Sequence, residues 1–159
     1  MDGEMLINII WEGPLTEDQA RGRKEGGFYA IYGPHNVYGV STLLYIGKSD
    51  RGDIGARIKE HKWGQNERGT EIQFYIGRFA SAEDKQVADV SDVERLLIYA
   101  HGPGYNSHCV TDPNAEDIKR LQPLRILNWR SYRSLLPEVS GRRWLTPCPG
   151  SSGLPRASI

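Results

Sequence analysis

Two short apolar runs each carry a tyrosine, Gly27-Phe28-Tyr29 and Tyr45-Ile46-Gly47. They are followed by Arg57 and His61, then by a lone acid, Glu94, at the head of an apolar stretch, and finally by Asn106. A phenol or an imidazole can move a proton, a guanidinium can clamp a non-bridging oxygen, and one carboxylate can hold a hard divalent cation whose other ligands are water and substrate. Together these groups could activate a water beside a clamped, negatively charged oxygen. Taken singly each has a plainer use. Strand tyrosines edge a core, an Arg/His pair decorates a solvated helix face, and an acid near a helix start complements the dipole.

The elements that must position these groups follow from periodicity. Met5 to Trp11, Phe28 to Tyr32, Leu43 to Ile46 and Ile72 to Phe79 are expected as strands, the second closed by the turn residues Gly33-Pro34-His35-Asn36. The fifteen residues between Tyr29 and Tyr45 are expected to extend the loop of an antiparallel hairpin. Ile54, Ile58 and Lys62 mark a helix of about three turns ending near Gly64, with Arg57 and His61 on one face. Val93, Leu96, Leu97 and Ala100 mark a second, with Ser91 as N-cap, Asp92 in the first turn and Gly102-Pro103-Gly104 as stop. Short helices are expected near Thr16 and from Ala115 to Leu121, an apolar run from Leu124 to Trp129, and a poorly ordered Pro/Gly/Ser-rich end over Pro147 to Ile159.

A chain of 159 residues reads as one domain. The organisation expected is an N-terminal extension with a strand (1–25), a core (26–106), an Arg-rich C-terminal part (107–146) and the tail (147–159). Two cysteines make no disulfide framework, and His101, His108, Cys109 and Cys148 lack the paired short spacings of a zinc site, which points to a cytoplasmic, intracellular setting. Neither a membrane span nor a signal peptide is expected. Twenty basic residues balance twenty acidic ones, yet residues 119–159 hold eight basic side chains and one acid. Arg120, Arg125, Arg130, Arg133, Arg142 and Arg143 there, interleaved with Trp129, Tyr132 and Trp144, are the expected nucleic-acid grip, against a solvated extension as the plainer reading. Gly47-Lys48-Ser49 is not the end of a P-loop, because Thr42 stands where that motif needs glycine.

The ordered set resembles the GIY-YIG nuclease family. Gly27-Phe28-Tyr29 is similar to its first signature with Phe for the usual Ile, and Tyr45-Ile46-Gly47 matches the second. Arg57 and His61 match its R-x3-H helix, Glu94 its metal-ligand Glu, and Asn106 the Asn that follows. The resemblance implies an α+β, α/β sandwich-like fold in which helices flank a small central antiparallel three-stranded sheet. It implies a metal-dependent DNA endonuclease with Glu94 holding Mg²⁺ or Mn²⁺. Tyr29 is the expected base, Tyr45 orients water or phosphate, and His61 competes for the base role. Lys48 is expected as a cation beside Tyr45, Arg57 as the phosphate clamp, and Asn106 as an architectural or DNA-backbone contact.

Size and R-x3-H favour the restriction-endonuclease branch, and one site per chain cuts one strand, so a homodimer is expected for double-strand cleavage. A structure-specific repair or homing-type nuclease shares the chemistry. The reading from another class is a non-catalytic nucleic-acid-binding or protein-interaction module.

Overall fold

A computed structural model describes residues 3–61, 72–109 and 112–146. The fold is α+β. In chain order the elements are β1 (Met5–Leu15), α1 (Glu17–Arg21), β2 (Gly27–His35), β3 (Gly39–Ser49), α2 (Ile54–Glu60), β4 (Gln73–Phe79), α3 (Ala82–Val87), α4 (Val90–His101), α5 (Ala115–Leu121), β5 (Leu124–Arg130), β6 (Glu138–Ser140) and α6 (Gly141–Leu145).

The expected three-stranded sheet is instead one six-stranded sheet in the order β3-β2-β4-β1-β5-β6. The three expected strands form its β3-β2-β4 half. β1 pairs antiparallel with β4, from Ile9 opposite Phe79 onward, and parallel with β5, from Met5 opposite Leu124 to Trp11 opposite Arg130. The N-terminal strand therefore lies inside the sheet. Its alternation explains why: Ile7, Ile9 and Trp11 are all buried on one side, and an apolar row of that length needs neighbours on both edges.

Strand alternation divides the core in two. Ile7, Ile9, Trp11, Phe28, Ala30, Tyr32, Ile46 and Ile126 pack with Val93, Leu96, Leu97 and Ile98 of α4 on the larger side. Phe28, the departure from the first signature, is fully buried there, edge-on to Phe79 at 5.3 Å. The smaller side gathers Tyr29, Ile31, Phe74 and Ile76 beneath Ala20 of α1 and Ile54 and Ile58 of α2.

The hairpin differs from expectation. β2 runs on to His35 and β3 starts at Gly39, so the extra residues lengthen the strands rather than the loop. Irregular register between Ile31 and Tyr32 and between Gly33 and His35 lets Pro34 sit in a strand without donating a ladder bond.

The helix ends are set by caps. Thr16 and Gln19 form a capping box on α1, and Asp53 caps α2 by accepting from Ala56 N at 2.8 Å. α2 stops at Glu60, short of the expected three turns, with His61 in extended conformation; Lys62 and Gly64 lie outside the described residues. Asp89, not Ser91, caps α4, because its carboxylate accepts from Ser91 N at 2.7 Å while the Ser91 hydroxyl is engaged by Lys48. Gly102, at φ +53°, stops α4 as expected, and α5 matches its expected span. α3 was not anticipated, although Ser81 and Asp84 form its capping box. The expected tail, 147–159, lies outside the described residues. No described helix is long and apolar enough to cross a membrane.

Candidate active site

Tyr29 on β2 and Tyr45 on β3 meet because their strands pair with Tyr29 opposite Gly47. A Cβ at Gly47 would lie 2.4 Å from Tyr29 Cζ and 2.7 Å from Tyr45 Cε1, so only glycine leaves room for both rings. The rings stack at 5.9 Å between centroids. His61 closes the group, 4.7 Å from the Tyr45 ring, with its Nε2 2.9 Å from the Tyr29 hydroxyl. It does so because the chain leaves the helix at that residue, so Arg57 and His61 do not share a helix face as expected.

α2 is held where it is by the chain that crosses under it. Ile54 N and Gly55 N donate to Glu25 O and Arg23 O at 3.1 and 2.8 Å, satisfying first-turn donors that have no partner within the helix. Gly55 permits this approach, since a Cβ there would meet Arg21 O at 2.2 Å. Arg57 projects outward and pairs with Glu60 at 2.7 Å, both side chains more than half exposed.

Glu94 arrives from α4, which packs against β3. Its carboxyl is partly buried, and it makes no hydrogen bond or ion pair with a described residue. Burial pushes it up to about 7; Lys48 and Arg57 oppose that, and Asp50 adds to it. Glu94 in turn raises both tyrosines, and Arg57 acts on all three groups.

Tyr29 is almost fully buried, and burial followed by the neighbouring Tyr45 pushes its phenol far above the ordinary range. Arg57 pulls downward, but desolvation is the larger effect. Burial also raises Tyr45, which is less enclosed. Burial and then Arg57 hold His61 below its ordinary value, so at neutral pH the ring is an uncharged proton acceptor.

Lys48 is not beside Tyr45 as expected. It follows Ile46 on the opposite side of β3, bound to the Asp50 carboxylate and donating to Ser91 Oγ at 2.7 Å, one helical turn before Glu94. Asp50 is the acid that sequence reasoning missed. Nothing in its local pattern marks it, and only the folding of the β3 end against α4 brings it near Glu94.

Asn106 takes an architectural part. Its Oδ1 accepts from Ile46 N and its Nδ2 donates to Ile46 O, both at 2.9 Å, while Tyr105 N donates to Leu44 O at 2.8 Å. The segment after α4 thus covers the outer edge of β3, whose main-chain groups would otherwise stand open.

The C-terminal arginines do not converge on this site. Arg120 is tied to Asp92 and Asp117, and Arg125 to Glu4 and Glu138. Arg133 lies over the Tyr32 ring at 4.5 Å, Arg142 and Arg143 are exposed on α6, and Arg130 ends β5 at φ +64°. Arg120 and Arg125, through ion pairs, and Arg133, through packing on Tyr32, link elements distant in sequence. That fits their excess of positive charge against an acidic remainder.

As a metal site the donor set is narrow. No group of three or more His, Cys, Asp and Glu able to hold a metal ion occurs among the described residues. Of the four zinc candidates, His101 spends both ring nitrogens on the backbone, donating to Leu97 O and accepting from Leu136 N at 2.7 and 2.8 Å. Cys148 lies outside the described residues. A single unpartnered carboxylate fits Mg²⁺ or Mn²⁺, which keep most of their waters, and does not fit Zn²⁺. No family model, no curated protein and no solved structure matches this chain.

Proposed function

We propose that this chain is a metal-dependent endonuclease of the GIY-YIG type that hydrolyses DNA phosphodiester bonds. The observation that carries the reading is Glu94: a half-buried carboxylate with no hydrogen-bond donor among the described residues, felt by two stacked tyrosines, one of them bonded to an imidazole, and acted on by a guanidinium. A fold does not leave a carboxylate in that state for stability's sake.

Glu94 would hold Mg²⁺ or Mn²⁺, which supplies Lewis-acid charge at the phosphoryl oxygens. The proton of the attacking water passes to the Tyr29 oxygen as the Tyr29 proton passes to His61 Nε2, with the imidazole in its Nδ1–H tautomer. This relay avoids a free phenolate that burial forbids. Tyr45, stacked on Tyr29 and less enclosed, orients the water or the phosphate. Arg57 exchanges Glu60 for the scissile phosphate, where a fixed guanidinium is typically worth about 10²–10³ in rate. Lys48 and Ser91 hold the first turn of α4, and Asn106 holds the edge of β3. Restriction, with a homodimer cutting both strands, is the biological setting proposed.

The test is nicking of supercoiled plasmid with Mg²⁺ or Mn²⁺. Glu94→Gln should lower the rate at least about 10³-fold, as expected on losing the carboxylate that would anchor the Lewis acid. Equal nicking by wild type and Glu94→Gln would remove the reading, and with it would go any claim that the chain is the nuclease in the assay.

A further inference from the structure

We infer that a polynucleotide backbone lies along a track that leaves the candidate active site and crosses the sheet to Arg130, a surface of the kind a DNA strand fits. The inference rests on the nuclease reading for its direction, and on three adjoining clefts for its course. The first is lined by Lys48, Ser49, Asp50, Arg51 and Arg57. The second shares Ser49 and Asp50 with it and continues past Lys85 to Arg78. The third shares Arg78 and Glu25 with the second and continues past Ile10 and Arg23 to Arg130.

Strand register carries the course as far as Trp129, the neighbour of Arg130. Tyr29 stands opposite Ile76; Arg78, two residues on, stands opposite Ile10, and Ile10 opposite Trp129. These side chains share one side of the sheet. α1 and α2 pack over its β2-β3-β4 end, while at the far end Leu6 and Trp129 remain 46% and 51% exposed. From β3 to β5 is four strand spacings. That is roughly 19 Å at ~4.8 Å per strand, the axial length of about five or six phosphates at ~3.4 Å each.

The charge along the track is what a polyanion requires. Seven basic side chains line the three clefts against three acidic ones, in a chain with no net charge. Each of those acids is already engaged, Glu12 and Glu25 by Arg23 and Asp50 by Lys48. Arg51, Arg78, Lys85 and Arg130 make no ion pair with a described residue. Of the arginines expected as the grip, only Arg130 lies on the track. Arg120 and Arg125 have acidic partners elsewhere.

The deciding measurement is anisotropy of a short labelled DNA duplex, titrated in EDTA over a range of salt concentrations. The pair Arg78→Ala/Arg130→Ala should weaken binding about tenfold and reduce the slope of log K against log salt by about two, one for each lost phosphate contact. The pair Arg142→Ala/Arg143→Ala removes the same charge outside the track and should leave the slope unchanged. The track is overturned if wild type does not bind the duplex, if the first pair binds as wild type does, or if both pairs lose equally. Failure of the nuclease reading looks different: Glu94→Gln would nick plasmid like wild type while the track variants still lost their slope.

Discussion

Asp84 on α3 and Glu94 on α4 are carboxylates ten residues apart that the chain treats in opposite ways. Asp84 accepts from Asn8 N and Nδ2 at 2.9 and 3.1 Å and from Ser81 Oγ and N at 2.8 and 3.1 Å. Burial works to raise it, and those hydrogen bonds from Asn8 and Ser81 outweigh burial and hold it below its ordinary value. Glu94 has no such donor among the described residues, and burial raises it. Asp84 locks α3 to β1, one of the two central strands of the sheet. Glu94 is left without a donor to its carboxyl among the described residues. Where a polar group serves the fold its partners are supplied, and where they are withheld the group is set aside for something the chain does not itself contain.

The comparison breaks most visibly at Asp84. Asp84→Ala removes a capping-box acceptor and strands the donors of Asn8, and it should lower stability by about 2–4 kcal/mol in denaturant unfolding at neutral pH. Because the folded carboxyl lies below its unfolded value, that advantage is present above pH ~3.8 and fades as pH falls through the lowered value. A change within about 0.5 kcal/mol would place Asp84 among ordinary surface groups and dissolve the contrast.

Glu94 should behave in the reverse sense. A folded value near 7 against an ordinary 4.5 means that the native state binds the proton more tightly, so stability falls as pH rises from about 4.5 to 7. Glu94→Gln removes that penalty. In EDTA the variant should match wild type near pH 4 and exceed it by about 1–3 kcal/mol at pH 8, since each tenfold difference in proton affinity between folded and unfolded chains is worth about 1.4 kcal/mol. Mn²⁺ should then stabilise wild type and not the variant. A Gln variant less stable than wild type at pH 8 would mean that the carboxylate is satisfied in the fold after all.

What the residues disclosed in advance follows the same division. Elements set by local chemistry were legible: the Gly102 stop of α4, the span of α5, the alternating strands and the pairing of the two tyrosine signatures. The six-stranded sheet was not, because the parallel pairing of β1 with β5 joins segments more than a hundred residues apart and leaves no local trace. The capping box of α3 was present in the sequence at Ser81 and Asp84, but its helix has too short an apolar period to draw notice. Of the site, the residue types and their order were readable. The burial that raises Tyr29, the extended turn that brings His61 to it, the placement of Lys48 across the strand and the nearness of Asp50 all arise from packing. The arginine-rich C-terminal segment shows the complementary limit. Composition counts charges, whereas a grip needs charges without partners, and several of these have theirs on other elements.

The finest test falls on Tyr29, where a satisfied hydroxyl and one with a proposed function coincide. Tyr29→Phe keeps the buried ring and its stack on Tyr45 and deletes the hydroxyl that bonds His61 Nε2 and interacts with the Tyr45 hydroxyl. Losing one net hydrogen bond between partly buried neutral groups should cost about 0.5–1.5 kcal/mol, the smallest stability change of the three. The nicking rate should fall about 10²–10⁴-fold, because a proton relay without its central atom loses general-base assistance. If activity instead tracks stability and declines only slightly, the Tyr29 hydroxyl is structural and His61 accepts the proton from water directly. In that case the rate of Tyr29→Phe should still rise through the depressed His61 value and level off below neutral pH, and His61→Ala should abolish that rise.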